Sequence, residues 1–413
     1  MANLGRGVAI VGAGYAGMAA AVALAERGVR ATVFESGPVP GGRARRVQSQ
    51  GNELDNGQHI LIGAYTEIYR LMRTVGVPET ALLRMPLEIR YTTRFHFRRL
   101  GLPEPFGLAG GLLMASGIPF SERLGAAKFM SHLKQTNFRL PADVPVSELL
   151  ARHQQNGRIA HYLWLPLCVS ALNTPPELAS ANTFLAVLRD TLGGGGEASD
   201  LLLPRVDLSR LFPEPAAEYV RSHGGEIRLQ SPVKDLGALR QSFDRVIVAV
   251  GPHQLKTVLP DAPEYSYQPI YTCYLQYREH VGLPLPMIGL ADGLVQWVFD
   301  RGVLLGEKGR LACVISAQGD HQQMSLDELA TRCHRELLGA KLVSEEPSWS
   351  RVIAEKRATI TCSPGAKAMP AATDGVSFAG DYTDPEYPPT LEAAVRSGVR
   401  AARSINQEKA IGI

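Results

Sequence analysis

Two groups of residues, one near each end of the chain, have the types and spacing to hold a dinucleotide. The first is Val8-Ala9-Ile10-Val11-Gly12-Ala13-Gly14-Tyr15-Ala16-Gly17, followed by Glu35 and then Gly41-Gly42-Arg43. The second is Gly380-Asp381, followed by Thr390-Leu391-Glu392-Ala393-Ala394-Val395-Arg396-Ser397-Gly398. In the first group Gly12 permits a tight turn and Gly14 lets backbone approach a pyrophosphate. Ala16 lies in the same turn, and Gly17 lets the next helix pack close to a sheet. The N–H groups at that helix start favour phosphate. Glu35 is placed to accept from a ribose 2′-hydroxyl, and its charge repels a 2′-phosphate. A glycine turn alone indicates only some dinucleotide. Gly41 and Gly42 allow a loop to fold against the pyrophosphate, where Arg43 neutralises it or reaches the flavin side. With the Gly380-Asp381 turn at the other end, the combination points to FAD. The plainer readings are a solvated basic face for Arg43, since Arg45 and Arg46 follow, and an ordinary turn for Asp381.

These residues need elements to position them. Val8 to Val11 reads as a buried parallel strand, Tyr15 to Arg27 as a helix stopped by Gly28, and Ala31 to Phe34 as the next strand. The text is helical from roughly Ser121 to Asp190. Strand patterns return at Glu226 to Leu229 and Asp244 to Val250, and Val233 offers its backbone to an adenine. Tyr271 to Arg351 reads as a mixed sheet walling a substrate cavity. Val376 to Asp381 reads as a strand and turn, and a helix from about Thr390 to Asn406 closes the fold. The expectation is an α/β protein: a discontinuous Rossmann-like FAD-binding domain (residues 1–90, 205–260 and 355–413) with a mixed-sheet and helical substrate domain (91–204 and 261–354).

Composition bounds the function. At 413 residues with 45% hydrophobic and 20% charged residues, the chain reads as an ordinary soluble globular protein of two domains. A net charge of +3 without a basic, aromatic-studded stripe argues against nucleic acid. Cys168, Cys273, Cys313, Cys333 and Cys362 are scattered without a CxxC, which argues against disulfides or a metal site and for a reducing, cytoplasmic setting. The first strand begins almost at once, so no signal peptide is expected. Two stretches lack charge: Pro105 to Phe120 and Ile159 to Pro176. Buried core or an apolar pocket wall is the plain expectation for both. The alternative for the first is a peripheral membrane contact at the inner face or an entry for a lipid-like substrate.

The glycine turn, Glu35, Gly41-Gly42-Arg43, Gly380-Asp381 and the closing helix resemble the FAD-dependent amine oxidase and phytoene desaturase superfamily. That resemblance implies non-covalent FAD, with Asp381 at the ribityl or phosphate portion and Thr390, Leu391 and Ala394 near the flavin ring. A narrower likeness is carried by Leu54-Asp55-Asn56-Gly57-Gln58-His59-Ile60-Leu61-Ile62-Gly63-Ala64-Tyr65, by Leu163 to Cys168 with Asn173 to Pro176, and by Tyr387-Pro388-Pro389-Thr390-Leu391-Glu392. These are similar to the hydroxysqualene dehydroxylase family, also called squalene-associated FAD-dependent desaturases. One departure is Ala44-Arg45, where many relatives carry a small hydroxyl residue after Gly-Gly-Arg.

The narrower resemblance implies reductive removal of the allylic hydroxyl of hydroxysqualene to give squalene, supplying hopanoid or triterpenoid synthesis. Such an enzyme needs a pocket for a long isoprenoid and a proton donor for departing water. His59 is one candidate, because the resemblance puts Gly57, Gln58 and His59 beside the flavin; Tyr387 is the other. Plain structural roles are a hydrogen bond to flavin or backbone for His59 and turn packing for Tyr387. The rival reactions are a carotenoid-type desaturase, running hydride the other way, and an amine oxidase, for which an aromatic cage is wanting. A flavin-carrying or lipid-binding scaffold is the non-enzymatic alternative. No motif identifies the electron donor.

Overall fold

The computed structural model describes residues 6–92, 95–102, 106–192, 194–367, 369–373, 375–384 and 386–405; Pro105, Gly193 and Asn406 thus lie outside it. Its centre is the strand Val8–Val11, every residue of which is buried. Apolar, β-branched residues suit a strand covered on both faces. It pairs in parallel with Ala31–Phe34 on one side and Arg245–Val248 on the other. Glu226–Arg228 and Val376–Phe378 extend the parallel set, and Ala372–Thr373 closes one edge antiparallel. Three well-separated stretches of chain therefore feed one six-stranded sheet.

The helix Tyr15–Ala25 is buried along its whole length and stops two residues before Arg27, with Gly28 at φ +69° turning the chain away. The closing helix, Leu391–Ser404, is capped by the Thr390 hydroxyl, which accepts from the Ala393 N–H at 3.2 Å. The two helices lie against each other so closely that a Cβ at Gly398 would sit 2.1 Å from the Ala16 carbonyl oxygen. This contact joins the N-terminal and C-terminal signatures.

The sheet expected over Tyr271 to Arg351 has five strands in the order Met287–Gly289, Trp297–Asp300, Arg310–Ser316, Tyr267–Gln276 and Trp349–Ile360. All its pairings are antiparallel, because short hairpins rather than crossovers join three consecutive strands. The helix Leu326–Gly339 packs on one face, and helices Phe120–Gln135, Val146–Arg152, Leu165–Leu172 and Ala181–Leu192 share a buried core with the other. A π-helical turn, Ala160–Trp164, runs directly into Leu165–Leu172.

The two uncharged stretches part company. Ile159, Leu163, Trp164, Cys168 and Leu172 are buried core, as expected. The first stretch instead forms the helix Phe106–Met114, with Phe106 66% and Met114 71% exposed. Its buried face is Gly107, Gly111 and Leu112: a Cβ at Gly111 would lie 2.3 Å from the Arg98 carbonyl oxygen, while Phe106, Leu113 and Met114 turn outward. Among the described residues no helix is long and apolar enough to cross a membrane, and all five cysteines are free and buried.

The Gly398 contact gives a test. Gly398→Ala should destabilise the protein by about 1–3 kcal/mol through overpacking, read as a lower midpoint in urea unfolding. An unchanged midpoint would mean that the two helices can separate at no cost.

Candidate active site

One cavity of about 1070 Å³ gathers the residues singled out from the sequence. Gly12, Gly14, Ala16, Glu35, Gly42, Arg43, Gly57, Gln58, His59 and Val233 line it, together with Gly380, Asp381, Tyr387, Thr390, Leu391 and Ala394. Gly17 does not; it works behind the wall, where its Cβ would lie 1.9 Å from the Gly12 carbonyl oxygen.

The glycines form a cradle for a dinucleotide. Gly12 has φ +104°, and a Cβ there would meet the Ala249 carbonyl oxygen at 2.6 Å, so only glycine fits the exit from the first strand. The second turn approaches the first: the Gly41 N–H donates to the Ala13 carbonyl at 2.8 Å, and a Cβ at Gly42 would lie 3.1 Å from the Gly14 Cα. Two bare backbones thus face the space where a pyrophosphate would lie. Glu35 is pre-oriented beside it, with one carboxylate oxygen accepting from the Ala13 N–H at 2.8 Å and the other from the Gly37 N–H at 2.7 Å. The carboxylate lines the cavity with lone pairs remaining for ribose hydroxyls. These features fit an FAD.

Arg43 and Asp381 meet in a way their spacing did not reveal. The guanidinium donates to an Asp381 carboxylate oxygen at 2.6 Å and to the Ala358 carbonyl at 2.6 Å. Burial is the largest single influence and works against the guanidinium's charge, but Asp381, Glu355 and Tyr382 together outweigh it, and the Arg43 pKa rises. The pair ties the Gly-Gly-Arg loop to the Gly-Asp turn, 338 residues apart. Arg43 is therefore tied down rather than part of a free basic face, with 28% of its side chain exposed.

Two buried carboxylates were not recognisable from the sequence. Glu392 is fully buried at the start of the closing helix. It accepts from the N–H groups of Thr66, Glu67 and Ile68 at 3.1, 3.0 and 2.9 Å, and from Arg396 Nε at 2.7 Å. An acid in the first turn reads as serving its own helix; here it caps another, Thr66–Thr74, whose own N-cap residue Tyr65 has no side-chain cap. Asp55, immediately before Asn56-Gly57-Gln58-His59, accepts from the Leu208 N–H at 2.9 Å and lies 3.4 Å from Arg301. Arg301, 1% exposed, donates at 2.8 and 2.7 Å to Glu307, leaving Asp55 the weaker partner. The Tyr274 hydroxyl donates to the Asp55 carbonyl at 2.8 Å. This network holds the loop that presents Gln58 and His59.

The two candidate proton donors differ. Burial lowers the His59 pKa, the Gly57 carbonyl raises it, and Arg43 lowers it further. The ring is neutral near pH 7. The contact between Nδ1 and the Gly57 carbonyl at 3.2 Å assigns the proton to Nδ1 and leaves Nε2 an acceptor. The Tyr387 phenol is pushed up by burial and so keeps its proton, while the Arg396 guanidinium, 4.9 Å from its ring centroid, pulls the other way. Beyond these groups the cavity wall turns apolar, with Leu87, Ile89, Val187, Met287, Trp297 and Phe299. The Trp297 indole is anchored by donating to Ser170 Oγ at 2.9 Å.

Comparison with known proteins agrees with this geometry. The profile described as flavin containing amine oxidoreductase matches residues 15–406. The chain is 28% identical to a hydroxysqualene dehydroxylase of Sinorhizobium fredii, over 96% of this chain and 97% of the relative. It is 23% identical to a 15-cis-phytoene desaturase of an Oncidium hybrid cultivar, covering 97% of this chain and 78% of the desaturase. An oxidoreductase structure from Methanosarcina mazei superposes with TM-score 0.70 at 13% identity, covering 96% of this chain and 99% of that one, which establishes likeness of fold.

The Asp55 environment generates a prediction in pH. Burial is the main cause raising its carboxyl from 3.8 to about 6, against the pull of Arg301. A carboxyl raised on folding contributes stability that is present below its unfolded value and lost as pH climbs through the folded one. Asp55→Asn should therefore gain on wild type between pH 4 and pH 7.5, by roughly 2–3 kcal/mol for a shift of that size. Parallel urea-unfolding curves for the two proteins across this window would refute it.

Proposed function

The chain belongs to the flavin containing amine oxidoreductase family and is a flavin-dependent oxidoreductase; from that premise we propose that it removes the allylic hydroxyl of hydroxysqualene reductively, giving squalene and water. The product would supply hopanoid or triterpenoid synthesis. We propose non-covalent FAD as the cofactor, with Glu35 on the adenosine ribose, the Gly12–Gly14 and Gly41–Gly42 turns on the pyrophosphate, and the Arg43–Asp381 pair beside the ribityl chain. The observation that carries the reading is the continuous cavity, polar and glycine-lined at one end and walled by Ile89, Met287, Trp297 and Phe299 at the other. A long hydrocarbon is excluded from water there while its oxygenated carbon lies beside the closing helix. The 97% length match to a dehydroxylase, against 78% for a desaturase, favours this reaction over its oxidative counterpart.

Reduced flavin, when bound, supplies the hydride that replaces the hydroxyl. The protein's own task is to protonate the departing oxygen. Tyr387 is the proposed donor, because its phenol holds its proton at neutral pH. Departing hydroxide, whose conjugate acid is water with a pKa of about 15.7, is basic enough to take that proton. His59 Nε2 then serves as an acceptor that orients the substrate hydroxyl. Leu391 and Ala394 give the flavin an apolar seat, and Thr390 is held by its own cap bond to Ala393 N–H.

Anaerobic reduction of the yellow protein followed by hydroxysqualene should reoxidise the flavin with a stoichiometric yield of squalene. No reoxidation would sink the reading, and bleaching of the oxidised protein by polyene precursors would assign the desaturase instead. Tyr387→Phe should retain the flavin spectrum while lowering turnover by about 10²-fold or more, with His59→Ala costing less. The reverse order in single-turnover kinetics would move the proton to His59.

A further inference from the structure

We propose that the rim built from the helix Phe106–Met114 and the start of the helix Phe120–Gln135 is a docking face for an anionic lipid bilayer. Six of the eleven exposed large apolar side chains among the described residues fall between positions 102 and 124. Phe106, Met114 and Phe120 lead them at 66%, 71% and 64% exposed, joined by Leu102, Leu113 and Leu124. Isolated exposed leucines are ordinary; a cluster headed by two phenylalanines and a methionine is not. The buried side of the first helix is Gly107, Gly111 and Leu112, with Gly111 tight against the strand His96–Arg98 and Leu112 in the core. Phe106, Leu113 and Met114 are left facing outward although no charged residue shares the helix with them.

The face is also rigid. Arg123 donates to the Leu113 carbonyl at 2.8 Å and, through Nε and Nη2, to the Ile118 carbonyl at 3.1 and 3.0 Å. One guanidinium therefore locks the turn between the two helices and holds Met114 and Phe120 on one rim. At nine residues the first helix is about 14 Å long, half of what a bilayer core requires, so it can only lie in the interface plane.

Charge selects the occupant. Residues 95–140 carry Arg98, Arg99, Arg123, Lys128, Lys134 and Arg139 against Glu104 and Glu122; Arg98, Arg99 and Arg139 pair with Glu88, Asp200 and Glu386 outside that stretch, so Lys128 and Lys134 on the second helix are the main cations left to the rim. Arg98, Lys128, Lys134 and Arg139 are exposed. An apolar rim flanked by exposed cations matches anionic headgroups over acyl chains, the two-signal arrangement that stable peripheral binding needs. The face is also continuous with the site: the strand His96–Arg98 beneath the helix pairs with Glu88–Arg90, whose Ile89 lines the cavity.

The test uses the purified flavin-bound protein and needs no substrate, so its failure leaves the proposed reaction standing. Flotation with phosphatidylcholine vesicles containing phosphatidylglycerol should recover the protein, and vesicles of phosphatidylcholine alone or high salt should recover much less. The triple variant Phe106→Ser, Met114→Ser, Phe120→Ser should bind roughly tenfold more weakly or worse, with flavin absorbance and the urea-unfolding midpoint unchanged. Equal flotation of variant and wild type would overturn the proposal, as would wild-type protein that ignores anionic vesicles. A wild-type dimer in sedimentation velocity that the triple variant dissociates, without vesicle binding, would make the face an interface between copies and overturn it too.

Discussion

Everything in this molecule depends on how closely the helix Tyr15–Ala25 and the closing helix Leu391–Ser404 can approach. Gly398 lies against the Ala16 carbonyl, and Gly17 lies against the Gly12 carbonyl on the other side of the same helix. Any side chain at either place would separate the layers by more than a dense interior tolerates. The distance matters because each helix begins at the cavity: one brings Gly14, Tyr15 and Ala16 to its wall, and the other brings Thr390, Leu391 and Ala394, the groups proposed to face a pyrophosphate and a flavin ring. Two signatures more than 360 residues apart in the sequence become one site only through that contact.

Around it, the charged groups act as fasteners between segments. Glu392 spans from the closing helix to the start of Thr66–Thr74, Arg43 from the glycine loop to Asp381, and Arg301 from the antiparallel sheet towards the loop at Asp55. Each is buried or half-buried, and each joins pieces that sequence distance keeps far apart. Their cost is desolvation, visible in the raised Asp55 carboxyl. Multiple hydrogen bonds offset it for Glu392 and Arg301, as buried ions require. In return, the residues lining the cavity have fixed positions.

The apolar residues are divided between two uses. Met287, Trp297 and Phe299 turn inward to wall the cavity, while Phe106, Met114 and Phe120 turn outward. The outward set rides on a helix that sits one β-hairpin from the inward set. Exposure of that kind has a cost of order 25 cal/mol for every Å² left in water, a cost that disappears against an acyl surface. On the proposed function the two sets would be adjacent parts of one route for a water-insoluble molecule.

The sequence by itself determined the cofactor half of the protein. The Val8–Val11 strand, the glycine turn, Glu35 and the closing helix were legible because each is dictated locally: β-branched runs make buried strands, and glycine adopts positive φ at the least cost. The tertiary structure alone decided the partners of the ions. Nothing in the spacing of Arg43 and Asp381, Asp55 and Arg301, or Glu392 and Thr66 says that they meet, because long-range pairing has no sequence period. It also decided which uncharged stretch is core and which is surface. Composition is blind to which face of a helix the glycines occupy, and in Phe106–Met114 that choice depends on the strand beneath it.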